Sequence, residues 1–197
     1  MTIEIIGSAG VGKSYYSELI ETKTSFKRIK RFKSSHLEKL TLIIPSMLLA
    51  IRFKPQKKHF KYVFDKSTYL LRYKKYVENS KESFIMDQGL LYKLRKTSMY
   101  SRLDTEAIIK LVFDKYKIKG PDLILYVVAE KSLVYKRRIN RGKKIDQNLN
   151  KSNYLQGLTE ISKEYKSMVS IQSIKHTTWE SKEQDVESFL KFFQQLI

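Results

Sequence analysis

The residues with the clearest chemical purpose lie near the N-terminus, where a glycine is followed by four residues and then by Gly-Lys-Ser. Glycines let backbone N–H groups turn inward around an anion, because no side chain stands in the way. In this pattern the lysine reaches the β- and γ-phosphates of a nucleotide, and the hydroxyl after it binds Mg²⁺. The spacing predicts an ATP phosphate-binding loop, with Lys13 catalytic and Ser14 a metal ligand. Its residues are Gly7, Ser8, Ala9, Gly10, Val11, Gly12, Lys13 and Ser14.

The segments on either side of this loop agree with the prediction. Residues 1–6 contain the apolar run Ile3-Glu4-Ile5-Ile6, which predicts a short buried strand, and residues 13–22 predict a helix. A strand, a glycine loop and a helix in this order are the context that a phosphate-binding loop requires. The start of the helix adds unpaired N–H groups and the positive end of its dipole. The alternative is a glycine-rich turn with a surface lysine.

A carboxylate at the end of a second buried strand is the next candidate. Residues 83–87 read Ser-Phe-Ile-Met-Asp, so the predicted strand ends at Asp87. In a parallel sheet this end of the strand lies beside the phosphate-binding loop. There Asp87 would hold Mg²⁺, directly or through water, or take a proton from an attacking hydroxyl. A purely structural carboxylate is the alternative.

Three neighbouring arginines form the third candidate group. Arg141 lies four residues after Arg137 and three after Arg138, so one helical face could present two guanidinium groups. Their charge would stabilise the negative charge that develops on a transferring phosphoryl group, which makes all three catalytic candidates. The basic, polar stretch that follows predicts a closing lid over residues 137–152 that excludes water. A solvated helix face is the alternative.

The elements that must position these residues alternate between strands and helices. Asp104 is placed to cap one of these helices. The alternation indicates α/β architecture, a parallel sheet of about five strands flanked by crossover helices, and no repeat or long linker divides residues 1–197 into further domains. Apolar patterns predict further strands around 28–32, at 123–128 and at 174–177. Helices are predicted at 36–53, 59–77, 90–96, 105–116, 131–140, 154–169 and 184–196, and a loop at 141–151.

Two helices in the stretch 23–82 are rich in apolar residues. The helix at 36–53 contains Pro45, so a kink is expected, and it is too short and interrupted to cross a membrane. Core packing is its expected role, with a substrate lid or a membrane-surface helix as alternatives. The helix at 59–77 carries tyrosines at helical spacing, for which core packing is expected first and an aromatic pocket second.

Composition limits the classes of protein to consider. The chain has 197 residues, of which 42% are hydrophobic, so a real core is expected and a disordered chain is excluded. There is no cysteine, which excludes disulfides, thiol catalysis and cysteine-bound zinc and fits a reducing, cytoplasmic location. No signal peptide is visible at the N-terminus.

The formal net charge is +19, from 39 Lys and Arg against 20 Asp and Glu. Such a charge predicts attraction to polyanions, namely nucleotides, nucleic acid or an anionic membrane surface. Because lysine is spread along the chain instead of forming one block, a solvated surface is the simplest explanation and nucleic acid is not favoured. A membrane-surface partner stays open, as does the oligomeric state, including a homodimer.

The histidines and the tryptophan are weaker candidates. The three histidines have no spacing that indicates metal binding, so packing is expected for His36, His59 and His176. Trp179 follows the last predicted strand, and stacking of its ring on adenine is a secondary hypothesis.

Three motifs together resemble the thymidylate kinase and deoxynucleoside kinase group of P-loop kinases. They are the loop at 7–14, the strand that ends in Asp87-Gln88-Gly89, and the run 121–127, which precedes the arginine helix. The resemblance implies a P-loop NTPase fold with a five-stranded parallel sheet and a helical lid. It also implies ATP binding at the loop, Asp87 as the active-site acid, lid arginines at 137, 138 and 141, and acceptor selection by the region 23–82.

One position departs from the family pattern. These kinases follow the acid with an arginine, whereas this chain has Gln88. A neutral amide neutralises no phosphate charge and lacks the bidentate fork of arginine, but its donor and acceptor suit a hydroxyl-rich ligand. Arg72 or Arg95, on predicted helices flanking the Asp87 strand, could compensate as acceptor-site residues. A neutral acceptor is favoured over a monophosphate.

The expected function is a MgATP-dependent phosphotransferase acting on a small-molecule acceptor such as a sugar, a nucleoside or a related metabolite. Lys13, Mg²⁺ and the lid arginines would hold the γ-phosphoryl group, and Asp87 would orient the acceptor. A thymidylate-like nucleoside monophosphate kinase is the alternative among enzymes. A nucleotide-binding regulatory or membrane-surface protein with little turnover is the alternative of another class, although such a protein needs neither Asp87 nor the arginines.

Overall fold

Five parallel strands form the centre of the structure, a computed structural model that describes residues 1–30, 32, 36–140, 150–171, 174–182 and 186–197. The strand order across the sheet is β2-β3-β1-β4-β5, and every neighbouring pair is parallel. This confirms the predicted α/β architecture with a sheet of about five strands. The strands are β1 (Thr2–Ile6), β2 (Lys27–Ile29), β3 (Phe84–Asp87), β4 (Leu123–Val128) and β5 (His176–Glu180).

Helices connect the strands, as parallel neighbours require. A 3₁₀ turn at Lys57–His59 leads into α3, and a wider π turn at Leu111–Lys115 extends α5. The predicted cap of α5 is confirmed, since the Asp104 carboxylate accepts a hydrogen bond from the N–H of Ala107 at 2.7 Å. The helices are α1 (Lys13–Lys23), α2 (His36–Arg52), α3 (Phe60–Asn79), α4 (Leu90–Ser98), α5 (Thr105–Lys110), α6 (Lys131–Ile139), α7 (Lys151–Ile171) and α8 (Val186–Gln194).

The pairing of β1 with its two neighbours positions the predicted site segments. Ile5 of β1 pairs with Asp87 of β3, and Ile6 pairs with Tyr126 of β4 on the other side. β1 continues into residues 7–14, so the glycine loop and Asp87 reach the same edge of the sheet. That edge collects the carboxyl ends of all five strands, which is where open α/β sheets bind their ligands.

Two buried layers cover the two faces of the sheet. Ile3 and Ile5 of β1 belong to one layer, together with Phe189 of α8. Met86 of β3 belongs to the other, together with Leu70 of α3. Because successive strand residues point to opposite faces and both faces are covered, these strands are apolar runs in sequence, which is why most were predictable.

Helix α2 packs along one side only. It runs without interruption through Pro45, and Leu49 and Ala50 are buried in the same layer as α3. The prediction of core packing is wrong for the other side, where seven large apolar side chains are exposed. The exposed residues are Leu37, Leu40, Ile43, Ile44, Met47, Leu48 and Ile51.

None of the helices in the described part of the chain combines the length and the apolar run needed to cross a bilayer.

Strand β5 lies further along the chain than its sequence predicts. It occupies His176–Glu180 instead of 174–177, so Trp179 lies within the strand and not after it. The Trp179 ring packs against Phe189 and Phe192 of α8, with centroid distances of 5.3 and 5.0 Å. The cause of the misplacement is that β5 is an edge strand whose residues alternate between exposed and half-buried, which leaves little apolar signal. In the predicted loop 141–151, residues 141–149 lie outside the described residues.

Tyr73 of α3 offers a test of the core. Its side chain is fully buried, and its hydroxyl has no hydrogen-bond partner among the described residues. Since a buried hydroxyl without a partner is destabilising, Tyr73→Phe should raise the free energy of unfolding by about 1 kcal/mol. Urea denaturation followed by circular dichroism measures the change.

Tyr16→Phe is the matched control. The Tyr16 hydroxyl is also in the core, but it donates to Oγ of Ser181 at 2.9 Å. Its removal should therefore lower the free energy of unfolding by about 1 kcal/mol. If both variants lose stability to the same extent, the Tyr73 hydroxyl is hydrogen-bonded after all.

Candidate active site

The loop between β1 and α1 follows a path that only glycine permits. Gly7 has a φ of +143°, and a Cβ built on it would lie 2.3 Å from the carbonyl oxygen of Val127 in β4. Gly12, directly before α1, has a φ of +99°, in the left-handed region that other residues rarely adopt. The loop can therefore lie tightly against β4 and lead into the N-terminus of α1, where backbone N–H groups attract an anion.

Lys13 is the first residue of α1 and folds back over the loop. Its Nζ donates to the carbonyl oxygens of Gly7 and Ser8, at 3.0 and 2.8 Å. The ammonium group and the positive end of the α1 dipole thus act on the same small volume. This concentration of positive charge suits the oxygens of a polyphosphate.

Ser14 and Asp87 meet at the carboxyl edge of the sheet. Oγ of Ser14 donates to Oδ2 of Asp87 at 2.5 Å. The second carboxylate oxygen, Oδ1, is buried and has no hydrogen-bond partner among the described residues. A hydroxyl and a carboxylate with a spare oxygen are donors that Mg²⁺ accepts, with water and phosphate oxygens as its other ligands. These two residues therefore fit the cation that the loop motif implies.

A Mg²⁺ ion bound here would take most of its ligands from water and phosphate instead of from side chains. Within the described ranges, no three or more His, Asp or Glu side chains are grouped so that they could hold a metal ion. Such a shell is usual for Mg²⁺, which keeps several waters and commonly binds through one or two carboxylates and the phosphates of its substrate.

The turn after Asp87 is stabilised by a buried carboxylate in β1. Gln88 has a φ of +64°, which costs a non-glycine residue about 1 kcal/mol and persists where the surroundings fix the backbone. Glu4 supplies that fixation, because its carboxylate accepts the N–H groups of Leu91 and Tyr92 at 3.0 and 3.2 Å. These N–H groups belong to the first turn of α4, so β1 anchors the helix that follows the turn.

Glu4 is fully buried, and its surroundings act on its charge in two directions. Burial raises the pKa of Glu4 to about 7, while the hydrogen bonds from α4 oppose that shift. Glu4 was not among the residues predicted for the site. A signal was present in the sequence, since a carboxylate inside the run Ile3-Glu4-Ile5-Ile6 must find polar partners once the strand is buried.

The predicted lid arginines have different surroundings. Arg137 donates to Oγ of Ser181 at 3.1 Å and to the carbonyl oxygen of Lys182 at 3.4 Å, just after β5. The guanidinium of Arg138 lies 5.0 Å from the centre of the Tyr154 ring. Arg141 lies outside the described residues, as does most of the predicted lid.

Helices α6 and α7 approach the phosphate-binding loop through Arg138 and Tyr154. The Tyr154 hydroxyl donates to the carbonyl oxygen of Ala9 at 3.0 Å. A Cβ built on Gly10 would lie 3.1 Å from Cγ of Arg138. Arg138 is thus adjacent to the loop, whereas Arg137 binds the segment after β5, and the catalytic roles of both stay predictions.

A cavity of about 440 Å³ lies beside Gln88. Of the three residues predicted for the acceptor site, the fold brings Gln88 and Arg72 together here. Arg95 is 8% exposed, binds Glu164 and lies over the Tyr165 ring, so it is directed at α7 and does not line this cavity. The lining residues are Lys30, Phe32, Asp65, Lys66, Tyr69, Arg72, Gln88 and Lys93.

Most of this lining was not predicted. On α3, the lining residues Lys66, Tyr69 and Arg72 recur every three positions, which places them on one helix face. That spacing was visible, but the tyrosines of this helix were assigned first to the core. The core assignment is right for Tyr73, whereas Tyr69 borders the cavity, as in the alternative of an aromatic pocket.

Comparisons with known proteins identify the class of fold. No family model and no curated protein matches the chain. A structure of deoxyadenosine kinase from M. mycoides with bound dCTP matches with a TM-score of 0.59 and 17% identity over 100% of both chains. A second structure of that enzyme, with the products dCMP and a flexible dCDP, matches with a TM-score of 0.60 and 18% identity over 100% of this chain and 97% of that one.

A third structure is that of YorR protein from Bacillus subtilis in complex with phosphorylated GDP. It matches with a TM-score of 0.57 and 16% identity over 100% of this chain and 95% of that one. At these identities the likeness concerns the fold. The fold is that of the P-loop kinases, of the type seen in deoxyadenosine kinase, and the fold expected from the sequence motifs is confirmed.

Glu4 predicts a pH dependence of stability. Its pKa is about 7 in the folded chain against an ordinary value of 4.5, so between these pH values the folded chain keeps a proton that the unfolded chain loses. The contribution of Glu4 to the free energy of unfolding should therefore fall by about 3 kcal/mol as the pH rises from 4.5 to 7, and stay level above pH 7. Glu4→Gln has no group to titrate and should lack this fall. Urea unfolding of both proteins at pH 5 and pH 7 makes the comparison, and equal differences would show that Glu4 is ionised throughout.

Proposed function

We propose that the protein is a MgATP-dependent kinase that transfers the γ-phosphoryl group to an oxygen of a small-molecule acceptor. The observation that carries the proposal is the contact between Ser14 and Asp87, beside the phosphate-binding loop and next to a separate cavity at Gln88. A protein that only binds nucleotide needs neither the carboxylate nor the second cavity. The likeness to structures described as deoxyadenosine kinase supports the same class of reaction.

The residues at the sheet edge have separate tasks in this reaction. Lys13 and the loop N–H groups hold the β- and γ-phosphates and neutralise charge that develops during transfer. Ser14 would hold Mg²⁺ together with Asp87, which would bind it directly or through water, and the ion would supply further positive charge when bound. Arg138, next to Gly10, is the described arginine best placed to add charge at the loop.

The transfer itself is a displacement at phosphorus. The acceptor oxygen forms a bond to the γ-phosphorus, the bond from that phosphorus to the β–γ bridging oxygen breaks, and ADP leaves with the electron pair. When the acceptor is a hydroxyl, its proton passes to the Asp87 carboxylate. The cavity beside Gln88 is the acceptor site, and its occupant is a sugar, a nucleoside, a nucleoside monophosphate or a related metabolite. The lack of cysteine supports a cytoplasmic site of action.

Two substitutions test the kinase. Asp87→Asn keeps the shape of the side chain and removes its charge, so turnover should fall by about 10²-fold or more while the melting temperature stays the same.

Lys13→Ala removes one charged contact to the phosphates and should weaken ATP binding or phosphoryl transfer at least about tenfold. A metabolite panel with MgATP, monitored by ADP release above the background without acceptor, provides the assay.

Asp114→Asn is the matched control, because Asp114 is an exposed carboxylate in the π turn after α5 and lies outside the site. Its turnover should equal that of the unaltered protein. If Asp87→Asn and Asp114→Asn have the same turnover, another group does the work assigned to Asp87. Unchanged ATP affinity and turnover in Lys13→Ala would contradict the proposed use of the loop.

A membrane-surface role is a second candidate, favoured by α2. Seven large apolar side chains of this helix are exposed, among them Leu40 at 64% and Ile44 at 66%. A helix with such a face is suited to the interface of a bilayer, and a net charge of +19 adds attraction to anionic lipid. Attachment of this kind is compatible with kinase activity.

Sedimentation with vesicles of phosphatidylcholine and phosphatidylserine tests this role. The protein should pellet with the vesicles at low salt and be released at high salt, because salt screens the charges. The double substitution Leu40→Glu with Ile44→Glu should abolish pelleting. Met99→Glu with Ile197→Glu, at exposed apolar positions outside α2, should retain it.

Two outcomes would contradict membrane attachment. One is that the unaltered protein does not pellet at low salt. The other is that the α2 substitutions split a dimer in size-exclusion chromatography without changing vesicle binding. In that case the exposed face of α2 is the contact between two copies of the chain.

A further inference from the structure

The cavity beside Gln88 concentrates positive charge. Four of its lining side chains are cationic and one, Asp65, is a carboxylate. The cations come from three separate places: the residue after β2, helix α3 and helix α4. Like charges brought together by folding repel one another unless an anion lies between them. The cations are Lys30, Lys66, Arg72 and Lys93.

These cations lie near carboxylates, among them Asp65 of the same lining, but within the described residues they are not held in ion pairs with them. None of the ion pairs in the described part of the chain includes any of the four. Nε of Arg72 is buried and has no hydrogen-bond partner among the described residues. Because a buried guanidinium N–H without an acceptor is unfavourable, this group has a binding capacity that the described protein atoms leave unused.

The two lysines on the helices lie over aromatic rings. Nζ of Lys66 lies 4.4 Å from the centre of the Tyr62 ring, and Nζ of Lys93 lies 5.0 Å from that of Tyr69. Burial lowers the pKa of Lys93, and the charge of Lys66 lowers it further, whereas the carboxylates of Glu4 and Asp87 act in the opposite direction. An anion between Lys66 and Lys93 would relieve their repulsion.

The cavity also has an aromatic side. The rings of Phe32 and Tyr69 have centroids 5.2 Å apart, and both residues line the cavity. Such a surface suits a flat or apolar group, because aromatic rings stack and bury area at low entropic cost. The ligand chemistry that fits the whole cavity is therefore an anionic group attached to a ring-containing body.

We infer that the acceptor of this kinase is itself a phosphomonoester, bound through Lys30, Lys66, Arg72 and Lys93. The inference rests on the proposed function and names the substrate class of the same site. A phosphomonoester carries up to two negative charges and three oxygens, and arginine provides it with a planar pair of donors. Transfer of the γ-phosphoryl group to an oxygen of that phosphate gives a diphosphate, and transfer to a hydroxyl of the body gives a bisphosphate.

Gln88 fits this assignment although it is neutral. Considered alone, the amide favoured an uncharged acceptor over a monophosphate. In the folded chain Gln88 is one exposed residue at a cavity whose charge comes from other elements, so arginine at this position is not needed for anion binding. Its amide can donate to a phosphate oxygen or bind a hydroxyl of the body.

Isothermal titration calorimetry tests the inference without any turnover. The ligands are a nucleoside 5′-monophosphate and a pentose 5-phosphate, each beside its unphosphorylated counterpart, and inorganic phosphate. The proteins are the unaltered chain, Arg72→Gln, Lys93→Gln, Lys13→Ala and the control Lys61→Gln. Lys61 is an exposed lysine of α3 that does not line the cavity.

At least one phosphomonoester should bind the unaltered chain about tenfold or more tightly than its counterpart. Arg72→Gln and Lys93→Gln should each weaken that binding by about tenfold and leave the counterpart unchanged. Lys61→Gln and Lys13→Ala should bind the phosphomonoester like the unaltered protein. The more tightly bound of the two esters identifies the body, a nucleoside or a sugar.

Several results would each overturn the inference. The counterpart binds as tightly as the ester, or Arg72→Gln has no effect, or inorganic phosphate binds as tightly as either ester. Loss of ester binding in Lys13→Ala would equally overturn it, because the anion would then occupy the phosphate-binding loop. Product assays with MgATP separate the two proposals: transfer only to unphosphorylated acceptors contradicts the inference and keeps the kinase, whereas tight ester binding without transfer to any acceptor contradicts the kinase.

Discussion

The parallel pairing of β1 with β3 is the constraint on which the candidate site depends. The register that places Ile5 opposite Asp87 makes the glycine loop and the carboxylate leave the sheet at the same edge. From that edge Ser14 reaches Asp87 at 2.5 Å, although 73 positions separate them in the chain. A shift of one residue in this register would turn Asp87 toward the other face of the sheet and away from Ser14.

A second constraint holds the same edge from inside the core. Glu4 lies in the centre of the sheet and binds the first turn of α4, so the strand that leads to the loop also anchors the helix that follows Asp87 and Gln88. A buried carboxylate is costly unless it is hydrogen-bonded, and two N–H groups at a helix start are a favourable partner for it. Strand β1 thus leads into the glycine loop and also binds the helix that follows Gln88.

A small part of the positive charge of the chain, whose net charge is +19, is gathered at one cavity. Lysine is spread along the chain, and many of the lysines lie on the solvated surface. The fold nevertheless brings four cations to one cavity, and none of them is in an ion pair within the described part of the chain. Helix α2 is a similar case for apolar residues. Its sequence predicts core packing, but the fold buries only one side of the helix.

The sequence by itself determined the parts of this protein that consist of adjacent residues. The loop from Gly7 to Ser14 depends on local backbone geometry, and buried strands such as β4 are continuous apolar runs, so both were predictable. The edge strand β5 was misplaced, because half-exposed residues carry little apolar signal. Only the tertiary structure decided the cavity beside Gln88, the buried partners of Glu4 and the separate positions of Arg72 and Arg95. These features join residues far apart in the chain, and their distances depend on how helices pack on the sheet, which no local pattern encodes.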